Sequence, residues 1–348
     1  MSLTPGDYDA DNIRGSDADV KKHPTLYFDN GDIIVICPFR EKDKGYQHFR
    51  VDQIFLSRHS PIFKTTVSLP TGPGPSQEDS MEGVSVMRVP DDAEDMEGFL
   101  KAMYEPSSLF FKRFSPETSL RMKGTLKLAT KYEARSIRDA LICVLKEDWW
   151  TTYKEWELRQ DYQDRQVAHG HKNLDEILPE PASCYRLAVE FNIPSIRFST
   201  LYALACVPWA GNDRGTVRKK RQPAKDVEQG KHITVNWDLL DRDDLFKVGK
   251  ARQILARKIV ALPQEMKDQR HPAYFHRTPG PCQAIWEGLD TRKGSRCVVT
   301  EEPDLLLEWR AVHAELSKLC SDCMTPLDNY WNKLWAQLEG DFDKILRG

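Results

Sequence analysis

Short apolar-rich runs and stretches of helical period alternate over residues 23–150. Leu26-Tyr27-Phe28 and Ile33-Ile34-Val35-Ile36-Cys37 flank Asp29-Asn30-Gly31-Asp32, and the Asn-Gly pair predicts a type I′ hairpin joining two strands. The second run is apolar at nearly every position, which predicts a strand covered on both faces. Beyond a charged loop at 40–45, His48-Phe49-Arg50-Val51 reads as a third strand. Ile54, Phe55, Arg58 and Ile62 then fall at helical spacing, and Ser60-Pro61 marks the start of a second short helix. Residues 68–83 have loop composition, 84–89 alternate as a half-exposed strand, and Met96, Phe99, Leu100 and Met103 form the core face of a helix headed by the capping acids Asp91 and Asp92. Two more helices are expected over 116–132 and 136–147.

The second half is helical in rhythm. Trp149, Tyr153 and Trp156 share a face, but 157–176 are polar and poorly patterned, so 151–177 reads as a polar connector. The region 178–262 carries the stripe Cys184, Leu187, Ala188, Phe191, then Ile196, Leu201, Leu204, Ala205, then a long helix opened by Asp241 or Asp243 with Leu245, Val248, Leu255, Ile259 and Leu262 inward. Residues 263–302 are rich in Pro, Gly and His and resist assignment. Over 303–348, two stripes, Leu305 to Cys323 and Leu327 to Ile345, separated at Pro326, predict a helical hairpin. The expected fold class is α+β, a small sheet plus clustered helices, followed by an all-α C-terminal region.

Composition narrows the function. Lys plus Arg number 50 against 53 Asp plus Glu, a formal net charge of −3, with no concentrated basic surface of the kind that direct nucleic-acid binding requires. The longest apolar run, 201–210, is too short to span a membrane. Residues 1–22 are polar and acidic, read as a disordered leader that cannot act as a secretory apolar region. Eight cysteines without a secretory signal point to reduced thiols in the cytoplasm or nucleus.

A family resemblance rests on Asp32-Ile33-Ile34-Val35, Phe49-Arg50-Val51, Leu56-Ser57-Arg58-His59-Ser60-Pro61-Ile62-Phe63, Val86-Met87-Arg88-Val89-Pro90-Asp91-Asp92, Phe99-Leu100-Lys101-Ala102-Met103-Tyr104 and Leu126-Lys127-Leu128-Ala129-Thr130-Lys131-Tyr132-Glu133. This succession over 23–150 resembles the BTB/POZ domain. Leu178-Pro179-Glu180-Pro181, Phe191-Asn192-Ile193-Pro194 and Leu319-Cys320-Ser321-Asp322-Cys323 resemble, more weakly, the helical tail of a large group of fungal BTB proteins. The resemblance implies a protein-interaction module that self-associates through the BTB domain as a homodimer. It also implies a scaffold role, including that of substrate adaptor for a cullin ubiquitin ligase, with a further ligand of unspecified identity on the tail. The docking surface it implies comprises Ile54, Phe55, Phe63, Met81, Met96, Phe99, Met103 and Tyr104. Cullin-docking members carry a hydrophobic–x–acid motif near the loop before Val84, for which Met81-Glu82-Gly83 is an imperfect counterpart. The family pocket pairs a strand Asp, here Asp32, with a His that this chain replaces by Asp52, and two neighbouring carboxylates would repel or share a proton.

Two alternatives come from other features. Arg218-Lys219-Lys220-Arg221 reads as a nuclear-import run, which would suit a nuclear BTB regulator of transcription without its own DNA-binding motif. Cys320-x-x-Cys323 with Cys282 and Cys297, and His271 and His276 upstream, offers zinc ligands for a zinc-stabilised helical domain. Cys323 also lies on the stripe of Leu316 and Leu319, and packing is the default use of such a cysteine, so neither metal nor cofactor is expected. No phosphate loop, nucleophile elbow or metalloprotease helix is present, and the chain is not expected to be an enzyme.

Overall fold

The computed structural model describes residues 20–41, 44–68, 80–170, 174–207, 234–269 and 303–348, together with Cys282, Ala284 and Ile285. These form two compact units, one from the described residues up to Phe111 with Arg121–Cys143, the other from Lys112–Leu120 and Val144–Gly348.

The first unit is α+β. Its strands β1 (Val20–Tyr27), β2 (Ile33–Pro38), β3 (Tyr46–Val51), β4 (Ser80–Met81) and β5 (Val84–Arg88) form one mixed sheet in the order β1-β3-β2-β5-β4. The expected hairpin between β1 and β2 does not form. β3 lies between them, parallel to β1 from Val20↔Tyr46 and antiparallel to β2 from Ile33↔Val51. The reason lies in β2 itself. Residues Ile33 to Cys37 are all buried, so this strand needs a neighbour on each edge, and it pairs with β3 on one side and, in parallel, with β5 on the other. The reversal at Asn30-Gly31 survives as a turn, with the Gly31 N–H donating to the Phe28 carbonyl at 3.0 Å. Its glycine serves close approach: a Cβ at Gly31 would lie 2.9 Å from the Val51 backbone nitrogen. β1 also takes in Val20 to Lys22 from the expected leader, because ladder pairing to β3 draws on backbone groups and tolerates their exposed side chains. The expected loop 68–83 likewise gives up Ser80 and Met81 to β4.

Helices α1 (Gln53–His59), α2 (Pro61–Ser68), α3 (Ala93–Tyr104), α4 (Thr118–Lys131) and α5 (Arg135–Asp148) follow in the expected order. Buried Ser60 heads α2: its hydroxyl accepts from the Phe63 N–H at 3.1 Å and donates to the Tyr132 carbonyl at 2.6 Å, while Pro61 loses no bond at the first helical position. Asp91 and Asp92 do not cap α3 through their side chains. Asp91 is buried and accepts from Lys131 Nζ at 2.7 Å and from the Tyr132 hydroxyl at 2.5 Å, linking the start of α3 to the end of α4.

Two histidines, His23 and His48, are buried in this sheet. His23 Nδ1 accepts from the Leu26 N–H at 3.0 Å, and burial lowers its pKa against the opposing pull of Glu97. His48 is lowered first by burial and then by Arg88. Both therefore take up protons less readily in the folded chain than in the unfolded one, which does so as pH falls through about 6.5. Stability is full above that value and declines as pH drops below it. Denaturant melts between about pH 7.5 and 5.5 should fall accordingly, with a shallower decline in His48→Leu. An equal slope in the variant would exclude His48 as a source.

The second unit's described elements are helical apart from an isolated bridge at Val235. They are α6 (Tyr153–Ala168), α7 (Pro181–Glu190), α8 (Pro194–Cys206), α9 (Arg242–Asp268), α10 (Leu305–Leu316) and α11 (Ser321–Arg347). The expected connector 151–177 is thus largely a helix. A capping box between Thr152 and Glu155 starts α6, buried Trp156 anchors it, and Arg310 pairs with Asp161 at 2.7 Å and Asp164 at 2.9 Å. Ion pairs replace most of the apolar stripe, which is why its period is weak. Reciprocal side-chain bonds between Asp241 and Asp244 open α9, as expected of its acids. Pro263 does not end α9, because buried Leu262 and Met266 keep its inner face packed through Asp268. The hairpin breaks at Ser317 to Cys320, between α10 and α11, and Pro326 lies inside α11, where its missing N–H removes one hydrogen bond.

The core of this unit combines aliphatic side chains with a cluster of aromatic rings. Trp309 stacks on Trp331 at 4.3 Å and 7°, and Trp150 meets Phe198 and Tyr202 edge-on at 5.3 and 5.4 Å. Trp149, Trp150, Trp156 and Trp331 are buried, and Trp335 is half-buried against the same core.

Candidate functional site

The candidate surface of the first unit is built where β3 runs into α1. Asp52 occupies the N-cap position of α1 in extended backbone but makes no capping bond with its own side chain. Its Oδ2 accepts from the Tyr104 hydroxyl at 2.9 Å, and its N–H donates to the same hydroxyl oxygen at 2.8 Å. Asp32 supplies the missing cap from across the chain, its Oδ1 accepting from the Gln53 N–H at 2.7 Å. The expected conflict between the two acids is resolved by giving each carboxylate a donor of its own. Burial first, and then the neighbouring Asp52 and Asp32 charges, raise the Tyr104 phenol well above its usual range, so it stays a donor. Phe55 stacks on Tyr104 at 4.5 Å, and Phe28 tilts against it at 5.0 Å. This leaves Ile54 projecting outward, 72% exposed, with Ile62 of α2 40% exposed.

The eight expected docking residues divide. Phe63, Met96, Phe99 and Met103 are buried and belong to the core, where Phe63 stacks on Tyr132 at 4.3 Å and Phe99 lies 5.9 Å from the same ring. Their helical spacing turns them into the interior, so no partner reaches them without opening α2 or α3. Ile54 is open, and Phe55, Tyr104 and Met81 are half-buried. The acid beside Met81 is already engaged. Glu82 and Gly83 both have positive φ, forming the turn from β4 to β5. Glu82 accepts from Lys22 at 2.5 Å, from the Tyr27 hydroxyl at 2.8 Å and from Arg50 at 3.3 Å, and the Lys22 bond leads in lowering its pKa. No motif in the sequence announces this junction, since its three partners come from β1 and β3.

In the second unit, the sulfurs of Cys282, Cys320 and Cys323 all lie within 4.8 Å of one another. Cys320 is the N-cap residue of α11, Cys323 sits in its first turn, and Cys282 is buried. The Cys320 N–H donates to Cys282 Sγ at 3.4 Å, and burial pushes the Cys323 thiol up to about 12. Cys297, His271, His276 and the basic run Arg218-Lys219-Lys220-Arg221 lie outside the described residues.

Sequence reasoning missed the site that organises the N-terminus of α7. Glu180 is 1% exposed and accepts three backbone N–H groups, from Ala182 at 3.1 Å, Ser183 at 2.6 Å and Asn236 at 3.0 Å. Pro181 at the first helical position was the available signal that the preceding residue caps. The bond to Asn236 has no local signature.

Comparison with known protein families, with curated proteins and with solved structures finds no match to this chain. Among the described residues, no helix is long and apolar enough to cross a membrane.

Proposed function

We propose that this chain is a protein-interaction protein whose first unit is a BTB/POZ-type module that pairs with a second copy of itself. The order of strands, paired helices, strand and clustered helices supports the family resemblance. The observation that carries the reading is the outer face of α1 and α2, where Ile54 is 72% and Ile62 40% exposed beside half-buried Phe55. A two-fold pairing places the same face of both copies in contact, so each of these side chains contributes twice. Burying one Ile54 side chain contributes roughly 1.5–3 kcal/mol.

Sedimentation equilibrium on the full chain tests this. A dimer is expected, with Ile54→Asp raising its dissociation constant at least about tenfold, or about 1.4 kcal/mol. A chain that remains monomeric near 100 µM, on the order of a −5.5 kcal/mol limit, would exclude self-association. The adaptor role is a separate extension of this reading. Calorimetric titration of the full chain with the N-terminal domain of a cullin should give about −8 kcal/mol or better if that role holds. Because Glu82 is held by Lys22, Tyr27 and Arg50, such binding should run through α1 and survive Glu82→Gln. Absence of heat from folded protein would leave self-association without a ligase role.

A further inference from the structure

We propose that Cys282, Cys320 and Cys323 form a three-thiolate site for one zinc ion. The three sulfurs come from two places in the chain, 38 residues apart between Cys282 and Cys320, yet all lie within 4.8 Å of one another. Thiolates about 2.3 Å from a tetrahedral zinc sit about 3.8 Å apart, so closing the site requires sulfur movements of about 1 Å or less. Cys282 lies in the hydrophobic core of this unit and Cys320 and Cys323 pack against it, which brings the three sulfurs together but does not require thiols. Ile285 and Met324 pack against the same core and could fill such a space without thiols.

The local geometry suits a thiolate cluster. Cys320 caps α11 in extended backbone, and Cys323 follows one turn on, which puts both thiols at the helix end that favours negative charge. The N–H donated by Cys320 to Cys282 Sγ is a bond that strengthens as sulfur becomes anionic. A set of sulfur donors selects a soft or borderline ion over magnesium or calcium. Binding replaces three thiol protons by one dication: three S–H bonds break, three Zn–S bonds form, and three protons go to solvent. The ion would tie Cys282 to the break between α10 and α11, stabilising the second unit in proportion to free zinc.

The test uses the full chain, reduced and stripped with a chelator, then titrated with cobalt as an optical reporter and with zinc as competitor. The expected result is a thiolate-to-cobalt charge-transfer band that saturates at one equivalent, is bleached by zinc, and accompanies a rise in melting temperature. Cys282→Ser and Cys323→Ser should each weaken binding at least tenfold, whereas Cys143→Ser, at an exposed cysteine of the first unit, should not change it. Alkylation followed by peptide mapping gives a readout independent of any variant: zinc should protect Cys282, Cys320 and Cys323 and leave Cys143 reactive. No band in excess cobalt, binding undiminished in Cys282→Ser, binding lost in Cys143→Ser, or equal alkylation with and without zinc would each overturn the proposal. Failure to take up metal when all three thiols are free would do the same.

Discussion

Glu180→Ala should destabilise the second unit by about 3 kcal/mol or more. The carboxylate receives three backbone N–H groups in a site that is 1% exposed. Alanine removes all three acceptor contacts, and each buried donor left unsatisfied costs roughly 1–3 kcal/mol. Two of those donors are the orphan groups at the start of α7, so the loss also uncaps the helix. Glu180→Gln keeps one carbonyl oxygen and should lose less than half as much. All nine tryptophans lie at or beyond Trp149, within the second unit, so tryptophan fluorescence during urea unfolding reads that unit alone. A midpoint shift worth less than about 1 kcal/mol would show that water replaces the carboxylate at no great cost, and the hub would then be incidental.

Trp309→Ala should cost about 3–5 kcal/mol, the range for deleting a buried aromatic side chain. Trp309 is 1% exposed and lies face to face with Trp331, with Tyr330 at 6.3 Å and His313 at 5.9 Å around it. The cavity would open between α10 and α11, and the facing Trp331 ring would lose its stacking partner. Trp309→Phe refills part of the volume and should recover more than half of the loss. The check is the same fluorescence-monitored urea transition, where the first unit's transition, followed by circular dichroism, should hardly move. Equal losses in both units would mean that the two unfold as one.

The local content of the fold was legible because it depends on residues close in sequence. Alternation and helical spacing placed β2, β3, α3, α4, α5 and the stripes of α10 and α11 near their observed positions. Three of the elements that escaped share a reason: their stability comes from partners elsewhere. β1 reaches back to Val20 because β3 offers it a ladder, α6 has Arg310 in place of a full apolar stripe, and α9 passes Pro263 because Leu262 and Met266 stay packed. Asp91 shows the limit from the other direction. An acid before a helix reads locally as a cap, yet the nearby Lys131 and Tyr132 claim it.

The candidate sites divide in the same way. Asp32 and Asp52 could be picked out from the sequence, but their separate donors, Gln53 and Tyr104, arise only when β2, α1 and α3 meet. Of the expected docking residues, helical period alone had already put Met96, Phe99 and Met103 in the core, and burial agrees. The cysteine trio was half visible: Cys320-x-x-Cys323 is a local pair, whereas the identity of its third member is a matter of packing.

By itself, then, the sequence determined most of the strands and helices, the faces they bury, and that charge is balanced. Those properties follow from backbone periodicity and from the transfer of apolar surface out of water, both of which act over a few residues. Tertiary structure alone decided that β3 separates β1 from β2, that Glu82 and Glu180 are hubs, that Ile54 is left in solvent, and that three sulfurs converge. Each of those is a choice among partners distant along the chain. That choice is made by satisfying buried donors and both edges of the central strand at once, which no single segment can do alone.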